Sequence, residues 1–309
     1  MSIRSTFMTT AVAFALSGSA FAQGCDRIVF SDVGWTDITA TTAAATLVLE
    51  ALGYETDTKV LAVPVTYTGL AEGDIDVFLG NWMPTMEADI APYREAGTVE
   101  TVRTNLEGAK YTLATNAAGA ALGITSFDAI AAQKDALGGK IYGIEPGNDG
   151  NRLIMDMIAA GAFDLTDFDV VESSEQGMLA QVARADQRGE PIVFLAWEPH
   201  PMNSNFQITY LDGGDDWFGP DFGGAIVATN TRQGYVEECP NTGKFLQNLV
   251  FSLEMENEIM GAILNDGADP ADAAKAWLAA NPATWEAWLD GVTTKDGGDA
   301  RAAVAAALN

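Results

Sequence analysis

The pattern that most constrains this chain is a repeated alternation of short apolar runs with helical segments. Arg27-Ile28-Val29-Phe30-Ser31 reads as a strand; residues 36–52 follow at helical spacing and stop at Gly53, a C-terminal cap. Residues 56–60 read as a second strand. Asp76-Val77-Phe78-Leu79 reads as a third, apolar enough to be buried on both faces. Strand, helix, strand in this order predicts an α/β sheet with crossover helices. The middle of the chain repeats the pattern, with strands at 111–115, 140–144, 169–172 and 191–197. Helices are predicted over 127–134, capped by Ser126, from about 149 to 160, and over 175–187. After a strand at 207–211 the composition turns rich in Gly and Asp and then mostly helical, with long helices at 245–263 and 270–280. Trp277, Trp285 and Trp288 recur there at helical spacing and are assigned to the core rather than to a ligand wall. The repeated pattern predicts two α/β lobes with a ligand cleft between them.

The first residues carry a different signal. Arg4 precedes a short apolar run over residues 7–16, and Ala20-Phe21-Ala22 forms an A-x-A cleavage site. Residues 1–22 are therefore read as an export signal, and the run is too short to span a membrane. The mature chain of about 287 residues has room for two ordinary lobes. Its two cysteines, Cys25 and Cys239, read as a disulfide, because an exported protein meets an oxidising compartment. The alternative is a lipid anchor on Cys25, but Ala22 stands where such sites carry Leu. A net charge of −27 excludes a basic face for nucleic acid. It fits either plain solubility or a field that favours cations.

Catalytic inventories are thin. His200 is the single histidine, and a bridged cysteine pair offers no thiol nucleophile. There is no G-x-S-x-G elbow, no P-loop and no set of zinc ligands, so neither a metal nor a cofactor is expected. Abundant carboxylates leave a carboxylate-dependent hydrolase as a rival from another class.

Large aromatic residues instead gather at strand ends, where open α/β sheets bind ligands. Trp35 and Asp37 follow the first strand, Trp82 follows the third, Tyr111 opens a middle strand and Trp197 ends another. A trimethylammonium group donates no N–H hydrogen bond and spreads its charge over methyl groups. Aromatic faces suit it, each contributing ~0.5–2 kcal/mol, and a desolvated carboxylate adds Coulomb attraction. Asp37 in that role favours a cation such as choline over a zwitterion such as glycine betaine, whose own carboxylate it repels. The alternative is that the aromatics fill lobe cores and Asp37 caps a helix. In Gly147-Asn148-Asp149-Gly150, Asn148 either meets a ligand hydroxyl or caps the following helix.

The segments Asp32-Val33-Gly34-Trp35-Thr36-Asp37, Asp76-Val77-Phe78-Leu79-Gly80-Asn81-Trp82-Met83-Pro84 and Ala196-Trp197-Glu198-Pro199-His200-Pro201 resemble substrate-binding proteins of ABC importers for choline and glycine betaine, the choline branch above all. That resemblance covers the whole mature chain. It implies a type II periplasmic binding protein, with residues 23–112 and 208–309 in one lobe and 113–207 in the other.

 It further implies that Trp35, Trp82, Tyr111 and Trp197 form an aromatic box, that Asp37 faces the cation, that Asn148 meets the hydroxyl end, and that Cys25 pairs with Cys239. The chain is expected to cross between lobes near Leu113 and again near Gln207. The partners implied are a choline-like quaternary ammonium ligand and an ABC permease of the inner membrane, with the binding protein itself a monomer. Glycine betaine and trimethylamine N-oxide remain alternative ligands of the same box.

Overall fold

The computed structural model describes residues 24–309; the export segment read at residues 1–22 lies outside the described residues. Numbering only helices of seven residues or more, the first part of the chain runs β1 (Arg27–Asp32), α1 (Thr36–Ala51), β2 (Glu55–Val60), α2 (Val63–Glu72), β3 (Val77–Met83), α3 (Glu87–Glu95) and β4 (Val99–Asn116). The middle part follows with β5 (Lys140–Tyr142), α4 (Asp149–Ala160), β6 (Asp169–Val171), α5 (Glu175–Arg188), β7 (Val193–Glu198), β8 (Ile208–Tyr210) and β9 (Gly224–Arg232). Helices α6 (Pro240–Asn248), α7 (Leu253–Leu264), α8 (Pro270–Ala280), α9 (Pro282–Trp288) and α10 (Ala300–Leu308) complete the chain.

One sheet runs through both halves in the order β2-β1-β3-β9-β4-β7-β5-β6, with β8 pairing β4 at the side. Strands β1, β2 and β3 are mutually parallel where they pair, as are β5, β6 and β7. These are the crossover units that the strand–helix alternation predicts. Between them lie β9 and β4, antiparallel to their neighbours. The 18-residue β4 pairs β9 from Val99 to Lys110 and β7 from Lys110 to Thr115, so a single strand serves both halves.

Helix α1 is rich in Ala and Thr and is buried along most of its length. It packs on β1, β2 and β3 with one side and on α7 and α8 with the other. A helix covered on both sides needs no polar stripe. Gly53 takes φ +94° just beyond it, a left-handed position that glycine fills without strain. Trp285 and Trp288 are buried in the C-terminal helical layer, and Trp277 is partly buried against the same core.

Three expectations need correction. The helix predicted over 127–134 is two 3-10 turns, Phe127–Ala129 and Ala131–Gln133, and the Ser126 side chain makes no capping bond. Phe127 is buried instead, and its N–H donates to Asp212 O at 2.9 Å, which ties the segment to the returning chain. The helix predicted over 245–263 breaks between α6 and α7. Phe251 N–H donates to Asn105 O at 2.7 Å there, and Ser252 caps α7 by accepting from Met255 N at 3.1 Å. The third correction is β9, which lies between the strand predicted at 207–211 and the long helix predicted from 245, where no strand was expected. Thr229, Asn230 and Thr231 are fully buried in it. Asn230 Nδ2 donates to Thr101 Oγ1 at 2.9 Å and Thr229 Oγ1 accepts from Asn105 Nδ2 at 3.0 Å, so side-chain partners replace the water these two residues lose.

Cys25 and Cys239 form a disulfide across a sequence separation of 214, with Cα atoms 5.5 Å apart. It fastens the segment before β1 to the turn before α6. Closing so long a loop restricts the unfolded chain, a stabilisation of ~2–5 kcal/mol. The Cys25→Ser/Cys239→Ser double variant should lose about that amount in urea denaturation, and reduction of the wild type should reproduce the loss.

Candidate ligand-binding site

Asp32 shapes the turn from β1 into α1. Its carboxyl oxygens accept from Gly34 N at 2.7 Å and Thr39 Oγ1 at 2.7 Å, and Gly34 takes φ +81°. That turn places Trp35 at the N-cap of α1 and Asp37 in its first turn. Trp82 comes from the end of β3, Tyr111 from β4 and Trp197 from β7. Tyr111 and Trp197 are directly paired across the sheet. Asn148 and Asp149 stand at the N-terminus of α4.

These residues converge. Trp35, Asp37, Trp82, Tyr111, Asn148 and Trp197, all six predicted from sequence, line one cavity with Ile144 and Asp149. Its walls are buried: the three tryptophans and Tyr111 are each at most 5% exposed. Trp82 and Tyr111 lie with ring centroids 6.0 Å apart, and Tyr111 meets Trp197 edge-on at 6.2 Å. Phe218 supports Tyr111 from behind, also edge-on, at 5.9 Å.

The N–H groups of Trp35 and Trp82 and the Tyr111 hydroxyl are occupied. Trp82 Nε1 donates to Asp37 Oδ2 at 3.1 Å, Trp35 Nε1 donates to Glu145 Oε1 at 2.9 Å, and the Tyr111 hydroxyl donates to Asn148 Oδ1 at 3.0 Å. With those bonds made, the rings offer the cavity their apolar surfaces. Asn148 also caps α4, its Oδ1 accepting from Asn151 N at 3.1 Å, so the capping alternative read from sequence is realised. Asp37 does not cap α1; Trp35 holds the cap position.

Asp37 is the electrostatic centre. It is 1% exposed, and its Oδ1 has no hydrogen-bond partner. Burial pushes its carboxyl up to about 8, reinforced by the charge of Glu175 and opposed by the Trp82 hydrogen bond. Burial likewise raises Glu145 to about 7 and Asp149 to about 6. No cation pairs with Asp37 among the described residues. A buried carboxyl with a free oxygen and no countercharge is suited to a cationic guest.

A family profile described as the substrate-binding domain of ABC-type glycine betaine transport systems matches residues 26–280. The chain belongs to that family. A solved structure described as an ABC-transporter choline-binding protein in complex with choline is 74% identical, with a TM-score of 0.91, covering 92% of this chain and 99% of that one. The same description without ligand, in a semi-closed conformation, gives a TM-score of 0.85 at the same identity and coverage. The glycine betaine/carnitine transport binding protein GbuC of Listeria monocytogenes is 34% identical over 125 residues, 40% of either chain. An uncharacterized protein, ORF1, of Chromohalobacter salexigens is 52% identical over 135 residues, 44% of this chain and 87% of that protein.

Sequence reasoning missed Glu145, Asp149 as a wall residue, and Glu175. Glu145 and Asp149 flank the Pro146-Gly147-Asn148 turn, so proximity to Asn148 was the available signal. Glu175 carries no local signal, because its partners are remote: Thr36 N donates to its Oε2 at 2.7 Å and Thr36 Oγ1 to its Oε1 at 2.6 Å, over a separation of 139 residues. His200 is buried beside it, with Nε2 3.2 Å from Glu175 Oε1 and Nδ1 accepting from Met202 N at 2.9 Å. In the ligand-free protein, carbon-detected NMR of the Asp37 carboxyl should show a titration near 8. Trp82→Phe, which removes an N–H that favours the ionised form, should move it higher.

Proposed function

We propose that this protein captures choline for an ABC importer and hands it to a membrane permease without chemical change. The observation that carries the reading is the desolvated Asp37 carboxyl, one oxygen unpartnered, inside a box of three indoles and a phenol. Aromatic faces and a buried carboxylate together match a trimethylammonium group, which needs dispersion, quadrupole and charge but no acceptor for an N–H. The choline complex of the 74% identical protein supports the same ligand. In this role the Asn148 amide meets the ligand's hydroxyl end.

The two lobes in this proposal are residues 23–112 with 208–309, and residues 113–207. Supporting that division, β4 exchanges β9 for β7 at Lys110. On the return the proposed crossing near Gln207 comes just before β8, which pairs with β4 at residues 114–116. Export to the periplasm after cleavage near Ala22 fits the disulfide, since that compartment is oxidising. A binding role rather than hydrolysis fits His200, whose two ring nitrogens are engaged by Met202 N–H and Glu175.

The second reading is a zwitterion, glycine betaine, which the family description favours. Calorimetry with both ligands separates them. Choline should bind one-to-one and more tightly than betaine; betaine preference would retain the transport role and overturn the ligand. Asp37→Asn should weaken choline and leave betaine unchanged or improved. Trp35→Ala or Trp82→Ala should weaken choline at least about tenfold, from lost cation–π and apolar contact.

Binding should also be linked to protons. A cation favours ionised Asp37, which is mostly protonated below about 8 in the empty site. Choline affinity should therefore rise with pH toward 8 and level off above it. Calorimetry in buffers of different ionisation enthalpy should show proton release at pH 7, absent in Asp37→Asn.

A further inference from the structure

Helix α1 presents an unusual N-terminus. Its N-cap residue is Trp35, which makes no side-chain capping bond. The first N–H groups of a helix need acceptors, and that end favours negative charge. Here the acceptor comes from across the cleft. Glu175, the first residue of α5, takes the Thr36 backbone N–H on Oε2 and the Thr36 hydroxyl on Oε1. Its side chain is fully buried in the closed protein, and Thr36 is 4% exposed. Helix α5 does not need Glu175 for its own cap, since Ser174 Oγ accepts from Gly177 N at 3.0 Å.

His200 fixes the carboxyl from the other side. Because Nδ1 accepts from Met202 N–H, the proton sits on Nε2, which donates to Glu175 Oε1. The His200 ring in turn meets Trp197 edge-on, with centroids 4.9 Å apart. Thr36 lies between Trp35 and Asp37 in sequence, so one contact joins the α1 wall of the cavity to its β7 wall.

We propose that Glu175 is the closure latch of this protein: it caps α1 across the cleft only when the lobes are shut, and so sets how long a ligand stays rather than how fast it enters. The proposal rests on the reading of the cavity as a ligand site. Opening exposes Thr36 and Glu175 to water and breaks both hydrogen bonds to Thr36, whereas entry into the open form does not involve them. Glu175 is a positioning residue, acting through Thr36 on the Trp35 and Asp37 that flank it.

Stopped-flow kinetics with choline on wild type, Thr36→Val, Glu175→Gln and the double variant would test it. Loss of a charge-assisted bond should raise the dissociation rate at least about tenfold in each single variant. Association should stay within about threefold, and the double variant should be little worse than the poorer single one. Thr36→Val separates the latch from a direct charge effect, because it leaves the Glu175 carboxyl in place. Spin labels at Val65→Cys on α2 and Met155→Cys on α4, both exposed, report closure independently. The closed population should fall in both variants without ligand and recover at saturating choline. Unchanged dissociation, slowed association alone, or additive effects in the double variant would overturn the latch. If wild type binds no choline, the ligand reading fails; the ligand-free label distances then decide, and an unaltered closed population in both variants sinks the latch.

Discussion

A carboxyl removed from water and given a single indole N–H as its close side-chain partner sets the terms for everything around Asp37. Ionised, it lacks enough hydrogen bonds for its charge; protonated, it is tolerable but of little use to a cation. The wall residues sharpen this imbalance. Trp35, Trp82 and Tyr111 direct their N–H and O–H groups into the protein, to Glu145, Asp37 and Asn148. What remains facing the cavity is aromatic surface, attractive to diffuse positive charge and poor at replacing water.

The architecture distributes these pieces so that neither half has a complete site. The α1 and β3 ends bring Trp35, Asp37 and Trp82; the α4 and β7 ends bring Asn148, Asp149 and Trp197; β4 brings Tyr111 from the strand they share. Other polar contacts join the same surfaces. Arg152 of α4 donates to Asp89 of α3 at 2.7 Å and to Thr85 O at 3.2 Å. Closure thus excludes water from the cavity while giving most buried polar groups at its rim a partner.

Much of this was legible in the sequence because it is written locally. Alternating apolar runs mark β1, β3 and β7, and aromatic residues just past them mark the cavity, since such side chains gain little from solvent. Strand β9 was not legible. Its buried Thr229, Asn230 and Thr231 look like surface residues until Thr101 and Tyr67 are brought beside them by the fold. The first half of β4 was hidden for a related reason, its pairing with β9 being interrupted by register shifts that break a simple alternation. Glu175 lies beyond local reading altogether. A carboxylate at the start of a helix looks like a partner for that helix, and only the closed cleft shows it serving another.

Strand β4 also governs what kind of object the molecule is. Its residues from Val99 to Lys110 are hydrogen-bonded into one half of the sheet, and those from Lys110 to Thr115 into the other. Cutting the chain anywhere within β4 would sever a strand in mid-run and leave raw sheet edges on both fragments. Neither half is a module that evolution or an engineer can lift out intact. Loss of either half would strip backbone partners from the β4 residues that the half pairs with.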